Sequence, residues 1–266
     1  MTQPDTGRFA NALITGASSG IGAALARALS RPGAVLHLCG RNEARLAEVT
    51  ESCRARGATV HAQMLDVTDP DATQAWIEQA GYLDLVVANA GISAGTGNGR
   101  PETEAQARAI FSTNLGGVLN TVLPAMATMQ TQPETPGGWR GHIAVVASIA
   151  AFLPTPGAPA YCASKAAADS WTVATAAIAR TQGIHLASIC PGYVRTNMTA
   201  RNRYPMPGLM SAEKAARIIL HGLAHNRRRI AFPWWMHTAA RLTSLLPLAW
   251  STRLLNTVPG KDALDA

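Results

Sequence analysis

The sequence predicts an α/β fold: a doubly wound parallel sheet between two layers of helices, three layers in all, with a helical extension at its C-terminal end. Three observations predict it. Short apolar runs alternate with longer segments of helical periodicity. A glycine-rich turn, TGASSGIG at 15–22, joins the first run to the first helix. A chain of 266 residues, 47% of them hydrophobic, is long and apolar enough to bury one large core. Residues 1–266 read as one domain, with 233–266 as its apolar and basic extension.

The elements follow in order. NALIT (11–15) is a strand and GIGAALARALS (20–30) a helix. AVLHLC (34–39) is a strand, and 42–57 is a helix closing on Gly57. Strands TVHAQML (59–65) and LDLVVANA (83–90) flank a helix over 70–80. A long helical region spans 103–129. Strands 141–148 and 184–190 flank the helix that carries Tyr161. Ser211 is placed to cap a helix running to 226, and RRRIAF (227–232) offers a seventh strand. This βαβα rhythm argues for parallel pairing. Proline and glycine cluster at 95–101, 133–141 and 205–208, which read as loops over the carboxyl edge of the sheet.

Composition excludes several classes. The four cysteines are scattered, with no CxxC and no histidine pairing at metal spacing, which argues against a disulfide framework or metal site and for a reducing cytoplasm. The N-terminal residues do not read as an export signal, and no apolar run approaches a membrane span. The net charge is +7, and all of it sits late in the sequence: residues 1–200 hold 13 basic and 13 acidic residues, residues 201–266 hold 10 and 3. A neutral body without interleaved bases and aromatics does not suit nucleic acid.

The turn at 15–22 has the makings of a phosphate cradle. Gly16 permits a tight turn, Gly20 lets backbone approach an anion, and Gly22 lets helix and strand pack closely. Ser18, Ser19 and Ile21 complete a loop whose N–H groups open a helix. A dinucleotide fold places an acid after the second strand to hold a ribose hydroxyl. Here that point reads CGRN, with Arg41 ready for a 2′-phosphate, so the cofactor expected is NADP(H). Asp66 and Val67 fall where an adenine edge would lie. Asn89, Ala90 and Gly91 end the fourth strand with side chains small enough for a cofactor to approach backbone.

Ser148 falls at a strand end on the same edge, and Tyr161 and Lys165 are one helical turn apart. Asn114 is a polar residue followed by two glycines inside a helical run, a costly arrangement. Singly each has an ordinary structural reading. Jointly they suit carbonyl chemistry. A carbonyl receiving hydride needs a proton, a free tyrosine has a pKa of about 10, and a lysine cation one turn away favours its phenolate. Ser148 would hold the carbonyl oxygen.

The ordered set TGASSGIG, ANAG (88–91), Asn114, Ser148, YCASK (161–165) and PGYVRT (191–196) resembles the short-chain dehydrogenase/reductase family of Rossmann-fold enzymes, over roughly residues 9–225. The resemblance implies Tyr161 as acid/base and Lys165 on the nicotinamide ribose, both touching cofactor. It implies Ser148 polarising substrate and Asn114 holding a water that links Lys165 to solvent. Pro191, Gly192 and Val194 would flank the nicotinamide, and Thr196 its carboxamide or the phosphates. The family's paired asparagines are Ala88-Asn89 here. The implied activity is NADP(H)-linked interconversion of a ketone or aldehyde and an alcohol, probed against two alternatives: an NAD-linked alcohol dehydrogenase of the same family, and a non-catalytic dinucleotide-binding regulator. A nucleotide-sugar epimerase also uses Tyr-x3-Lys, but the chain is short for an added sugar domain. A dimer or tetramer is expected.

Beyond the strand at 227–232 the pattern departs from compact members. Residues 233–256 are apolar and tryptophan-rich, with Arg241 and Arg253 spaced along them and Pro247 breaking the helix. Three roles stay open: helices covering the cleft or a subunit interface, a peripheral membrane contact, or the seat of an acidic protein. Met198, Tyr204, Met206 and Met210, in a loop over 195–210, would line an apolar substrate pocket or fill the underside of a lid. Cys162 reads as a small buried filler, and the loop at 130–141 as a surface insertion.

Overall fold

The computed structural model describes residues 8–97, 101–202, 204–256, 261 and 263; the outermost ends of the 1–266 domain lie outside them. Seven strands pair in parallel in the order β3-β2-β1-β4-β5-β6-β7. They are β1 (Asn11–Ile14), β2 (Val35–Gly40), β3 (Thr59–Met64), β4 (Leu85–Ala88), β5 (Gly141–Val146), β6 (Ile184–Pro191) and β7 (Arg229–Phe232). The order reverses between β1 and β4, the point at which a doubly wound sheet opens a crevice beyond its carboxyl ends. β4, β5 and β6 are buried along their whole length, as parallel strands covered on both faces must be.

Helix α1 (Gly20–Leu29) opens directly from the glycine turn, whereas α2 (Glu43–Arg54), α3 (Pro70–Ala80) and α7 (Ala212–Ala224) start where short polar side chains reach their free N–H groups. Asn42, Asp69 and Ser211 accept from Arg45, Ala72 and Lys214. One large cluster, including Leu25, Leu36 and Ile219, packs on one face of the sheet, and another, including Leu13, Val86 and Met129, on the other.

The long helical region expected at 103–129 is present, with a change of winding inside it, and one other expectation is corrected. α4 (Glu104–Phe111), capped by Thr103, passes through a single π-helical stretch at Ser112–Gly116 into α5 (Gly117–Gln130). The wide turn falls on Asn114, where a glycine pair follows and regular helix is least favoured. Residues 133–141 do not lie over the carboxyl edge. They lead into β5, and in a parallel sheet every helix-to-strand connector is at the amino edge. There Trp139 packs on His142 and His185, facing away from the crevice.

α6 (Pro159–Thr181) follows a 3-10 turn at Ile149–Phe152. Its residues Tyr161, Lys165 and Asp169 recur every four positions, so one stripe of the helix faces the sheet; all three are buried. The extension forms two helices, α8 (Trp234–Ser244) and α9 (Leu248–Leu255), parted at Pro247 as the sequence predicts. α8 docks through Met236 and Ala240 on a cluster with Ile149, Phe152 and Cys190, beside the crevice.

Candidate active site

Above the switch point opens a cleft of about 850 Å³. At one end the β1–α1 turn supplies Gly16, Ser18, Ser19, Gly20 and Ile21. Gly16 and Gly20 adopt φ of +65° and +56°, the left-handed region that only glycine enters freely. Gly22 stands behind the cleft rather than on it. A Cβ there would come within 2.6 Å of both Asn89 Nδ2 and Gly16 O, so its role is close packing, as the sequence predicts.

Arg41 lines the cleft at the end of β2, with Asn42 and Arg45 beside it. Arg45 was not singled out from the sequence, although a second arginine four residues after the first is a visible signal. Arg41 Nη1 lies 3.3 Å from Asp66 Oδ2, and both side chains are about half exposed. Burial raises the Asp66 carboxyl, but hydrogen bonds from Thr68 and the charge of Arg41 outweigh it and hold it below the usual range. Val67 and Leu65 continue this wall, followed by Asn89, Ala90 and Gly91. Asn89 donates to the carbonyls of Thr15 and Gly16, tying β4 to the turn.

Further along stand Ser148, Tyr161 and Lys165, with Pro191, Gly192 and Val194 from the β6 exit, and Thr196 of the same exit lies back against the glycine turn, its Cγ2 2.8 Å from a Cβ placed on Gly20. Ser148 is two residues past the last residue of β5. It caps the 3-10 turn, its Oγ accepting from Ala150 N at 3.1 Å. Asn114 does not line the cleft. Fully buried, it accepts from Ile92 N at 2.8 Å and donates to Ile92 O and Ser164 Oγ. It nonetheless borders the site: a Cβ on Gly91 would lie 3.1 Å from Asn114 Oδ1 and 3.4 Å from Lys165 Nζ.

The sequence has Lys165 favouring the Tyr161 phenolate; in the structure burial is the largest influence and pushes the phenol up to about 12, with a hydrogen bond to Ser148 opposing it. Lys165 is also buried, which pushes its ammonium down to about 8, and its Nζ donates to Val146 O at 2.7 Å.

Of the loop residues, Met198 and Tyr204 line the cleft. Met206 does not, and Met210 packs against the core instead, because its backbone bridges back to Val194 and turns it inward. Trp235 and Met236 of α8 complete the apolar end with Leu153. Cys162 is buried on the wall with its Sγ 3.1 Å from Thr155 Oγ1, consistent with a filler. Lys261, from the C-terminal tail, also reaches the cleft, and nothing in its local sequence points there.

A family model for short chain dehydrogenase matches residues 10–206. An uncharacterised oxidoreductase of Myxococcus xanthus is 36% identical over 246 residues, 90% of this chain and 93% of that protein. Among solved structures, a short chain dehydrogenase/reductase from Burkholderia phymatum in complex with NAD superposes with a TM-score of 0.79 at 23% identity, over the whole of both chains. A short-chain dehydrogenase from Sphingobium yanoikuyae in complex with NADPH gives 0.76 at 24% identity, over 96% of this chain and 98% of that one. With the matched residues running from the strand before the glycine turn to the loop beyond Thr196, the chain belongs to the short chain dehydrogenase family of oxidoreductases.

Proposed function

We propose that the protein interconverts an apolar ketone or aldehyde and its alcohol with NADP(H), in a cytoplasmic setting. The observation that carries this reading is the convergence of Tyr161, Ser148 and Lys165 at the end of a cleft that begins in a glycine turn. When bound, the dinucleotide supplies or takes up the hydride. Tyr161 Oη gives the proton to the carbonyl oxygen, or takes it from the alcohol. Ser148 Oγ holds that oxygen in line. Lys165 favours the phenolate that remains and grips the cofactor ribose. Asn114 keeps the Ile92 backbone and the wall beside Lys165 in place. Leu153, Tyr204, Trp235 and Met236 exclude water around an apolar substrate.

Arg41 and Arg45, with no acid among residues 39–41, support NADP(H) over NAD(H). The Arg41–Asp66 pair is half exposed and worth about 0–1 kcal/mol, so a phosphate can displace it. Arg41→Asp is expected to lower kcat/KM with NADPH by about 10- to 100-fold, the worth of a hydrogen bond to a charged group, while sparing NADH. Equal efficiency of the unaltered protein with both cofactors overturns this preference. A panel of ketones assayed for NADPH consumption tests the substrate class.

The extension supports a second element of this reading, peripheral contact with an anionic membrane. On its inner side Trp235 and Met236 face the cleft. On its outer side Trp234, Leu245 and Trp250 are 75%, 79% and 70% exposed, where a surface helix ordinarily carries polar residues. Residues 214–261 contain eight Lys or Arg and no Asp or Glu, and two of them, Arg241 and Arg253, lie on the helices of the extension. Among the described residues no helix is long and apolar enough to cross a membrane, whereas two short helices rich in tryptophan suit its interface. The protein is expected to co-sediment with phosphatidylserine vesicles at low salt, and Trp234→Ser combined with Trp250→Ser to abolish this. Absence of binding at low salt removes the membrane contact. A dimer or tetramer would use another face, where Leu123 of α5 and Val173 and Ile178 of α6 are exposed.

A further inference from the structure

Lys261, near the C-terminal end of the sequence, enters the active site. Lys261 N donates to Gly157 O at 3.2 Å, and Lys261 O accepts from Gly97 N at 2.8 Å. Lys261 is thereby strapped between two loops that border the cleft. Gly95 makes room for it, since a Cβ there would lie 2.7 Å from Lys261 O. So held, the side chain reaches inward. Its Nζ donates to Ser93 Oγ and stands 3.6 Å from the centre of the Tyr161 ring.

We propose that Lys261 is a positioning residue for the proton transfer, its ammonium lying on the Tyr161 ring and favouring the phenolate over the phenol. The proposal rests on the reading of Tyr161 as acid/base. A cation is drawn to the negative face of an aromatic ring, and more strongly when that ring carries the charge of a phenolate. The ring face is engaged while the hydroxyl stays directed to Ser148, so the contact does not occupy the reacting oxygen. A second cation has a task here, because this phenol stands at about 12, burial being the largest cause and the Ser148 hydrogen bond only opposing it in part. Burial also pushes the Lys261 ammonium down to about 8, so it is charged through neutrality, and a phenolate beneath it would hold that proton to higher pH, the two groups titrating as a coupled pair.

The groups around Tyr161 are few. Cys162 and Lys165 belong to its own helix, with Glu102 Oε2 accepting from Ala160 N at the start of that helix. Ser148 comes from the β5 side and Tyr193 from the exit of β6. Of these only Lys165 is a cation, and its Nζ is engaged by the Val146 carbonyl.

The test is a tyrosinate absorbance titration, taken as the difference between the protein and its Tyr161→Phe variant and repeated with Lys261→Met in both. Lys261→Met is expected to move the Tyr161 titration, and the pH limb of alcohol oxidation, about one unit or more upward. Lys261→Arg is expected to restore both. The direction follows because oxidation needs the phenolate, so losing a cation postpones activity to higher pH. An unmoved titration overturns the proposal. So does a rise in kcat/KM with the pH limb in place, which would make Lys261 a plug. If Tyr161→Phe itself keeps full turnover, the acid/base reading fails instead, a result the absorbance titration does not depend on.

Discussion

Tyr161→Phe is expected to lower turnover by about 100- to 10,000-fold, the usual contribution of a positioned acid or base. Binding of NADPH, followed by the quench of protein fluorescence, is expected to stay within a factor of two or three of the unaltered protein. Both halves come from the geometry. The phenol is buried and hydrogen-bonded to Ser148, whereas the glycine turn and Arg41 line another part of the cleft. Removing one oxygen leaves the ring in its place beside Cys162 and Ala158. Residual turnover within tenfold of the original would falsify the acid/base role. The pH dependence has a sign as well. With Tyr161 raised by burial, reduction, which needs the protonated phenol, is expected to persist through neutrality and fail only on the alkaline side. Oxidation is expected to rise over that same range.

The second large effect is on stability. Asp169 is 7% exposed and holds Arg229 through two hydrogen bonds, of 3.1 and 2.8 Å, while accepting from Ser188 Oγ at 2.6 Å. These bonds tie α6 to β6 and β7. Asp169→Ala leaves a guanidinium facing the core, and loss of one partner of a buried pair costs about 3–5 kcal/mol. The side chain of Arg229 is 31% exposed and already lies on the Phe152 ring, so it can turn partly to water. The lower end, about 3 kcal/mol, is therefore expected, with a fall in Tm of about 6–10 °C by calorimetry. Asp169→Asn keeps the shape and an acceptor for Ser188, and should cost less. A Tm within 2 °C of the original in Asp169→Ala would mean that the pair adds nothing to the docking of α6. Because Tyr161 and Lys165 lie on the same stripe two and one turns earlier, reduced activity at temperatures where Asp169→Ala is still folded is expected too.

Most strands were legible because parallel strands covered on both faces are short unbroken apolar runs, as at Leu85–Ala88 and Ile184–Pro191. Helix starts were legible because Ser211 and Asn42 cap by local chemistry. The glycine turn was legible for the same reason: its conformation is set within eight residues. The loop at 133–141 was misplaced because composition identifies a loop but not the edge on which it lies. The sequence left Met206 and Met210 open between pocket lining and lid filling because apolar side chains in a loop suit either, and for Met210 the backbone bridge to Val194 turns the choice toward the core.

The sequence by itself determined the α/β alternation, the glycine turn and the four-residue spacing of Tyr161 and Lys165, since each depends on neighbours a few positions away. The tertiary structure alone decided what surrounds them. It placed Asn114 behind the cleft, made burial the first influence on Tyr161, closed the Asp169–Arg229 pair across 60 residues, and brought Lys261 to the Tyr161 ring. Those contacts join segments far apart in the chain, and their strength depends on how much water packing removes, which no local pattern of residues records.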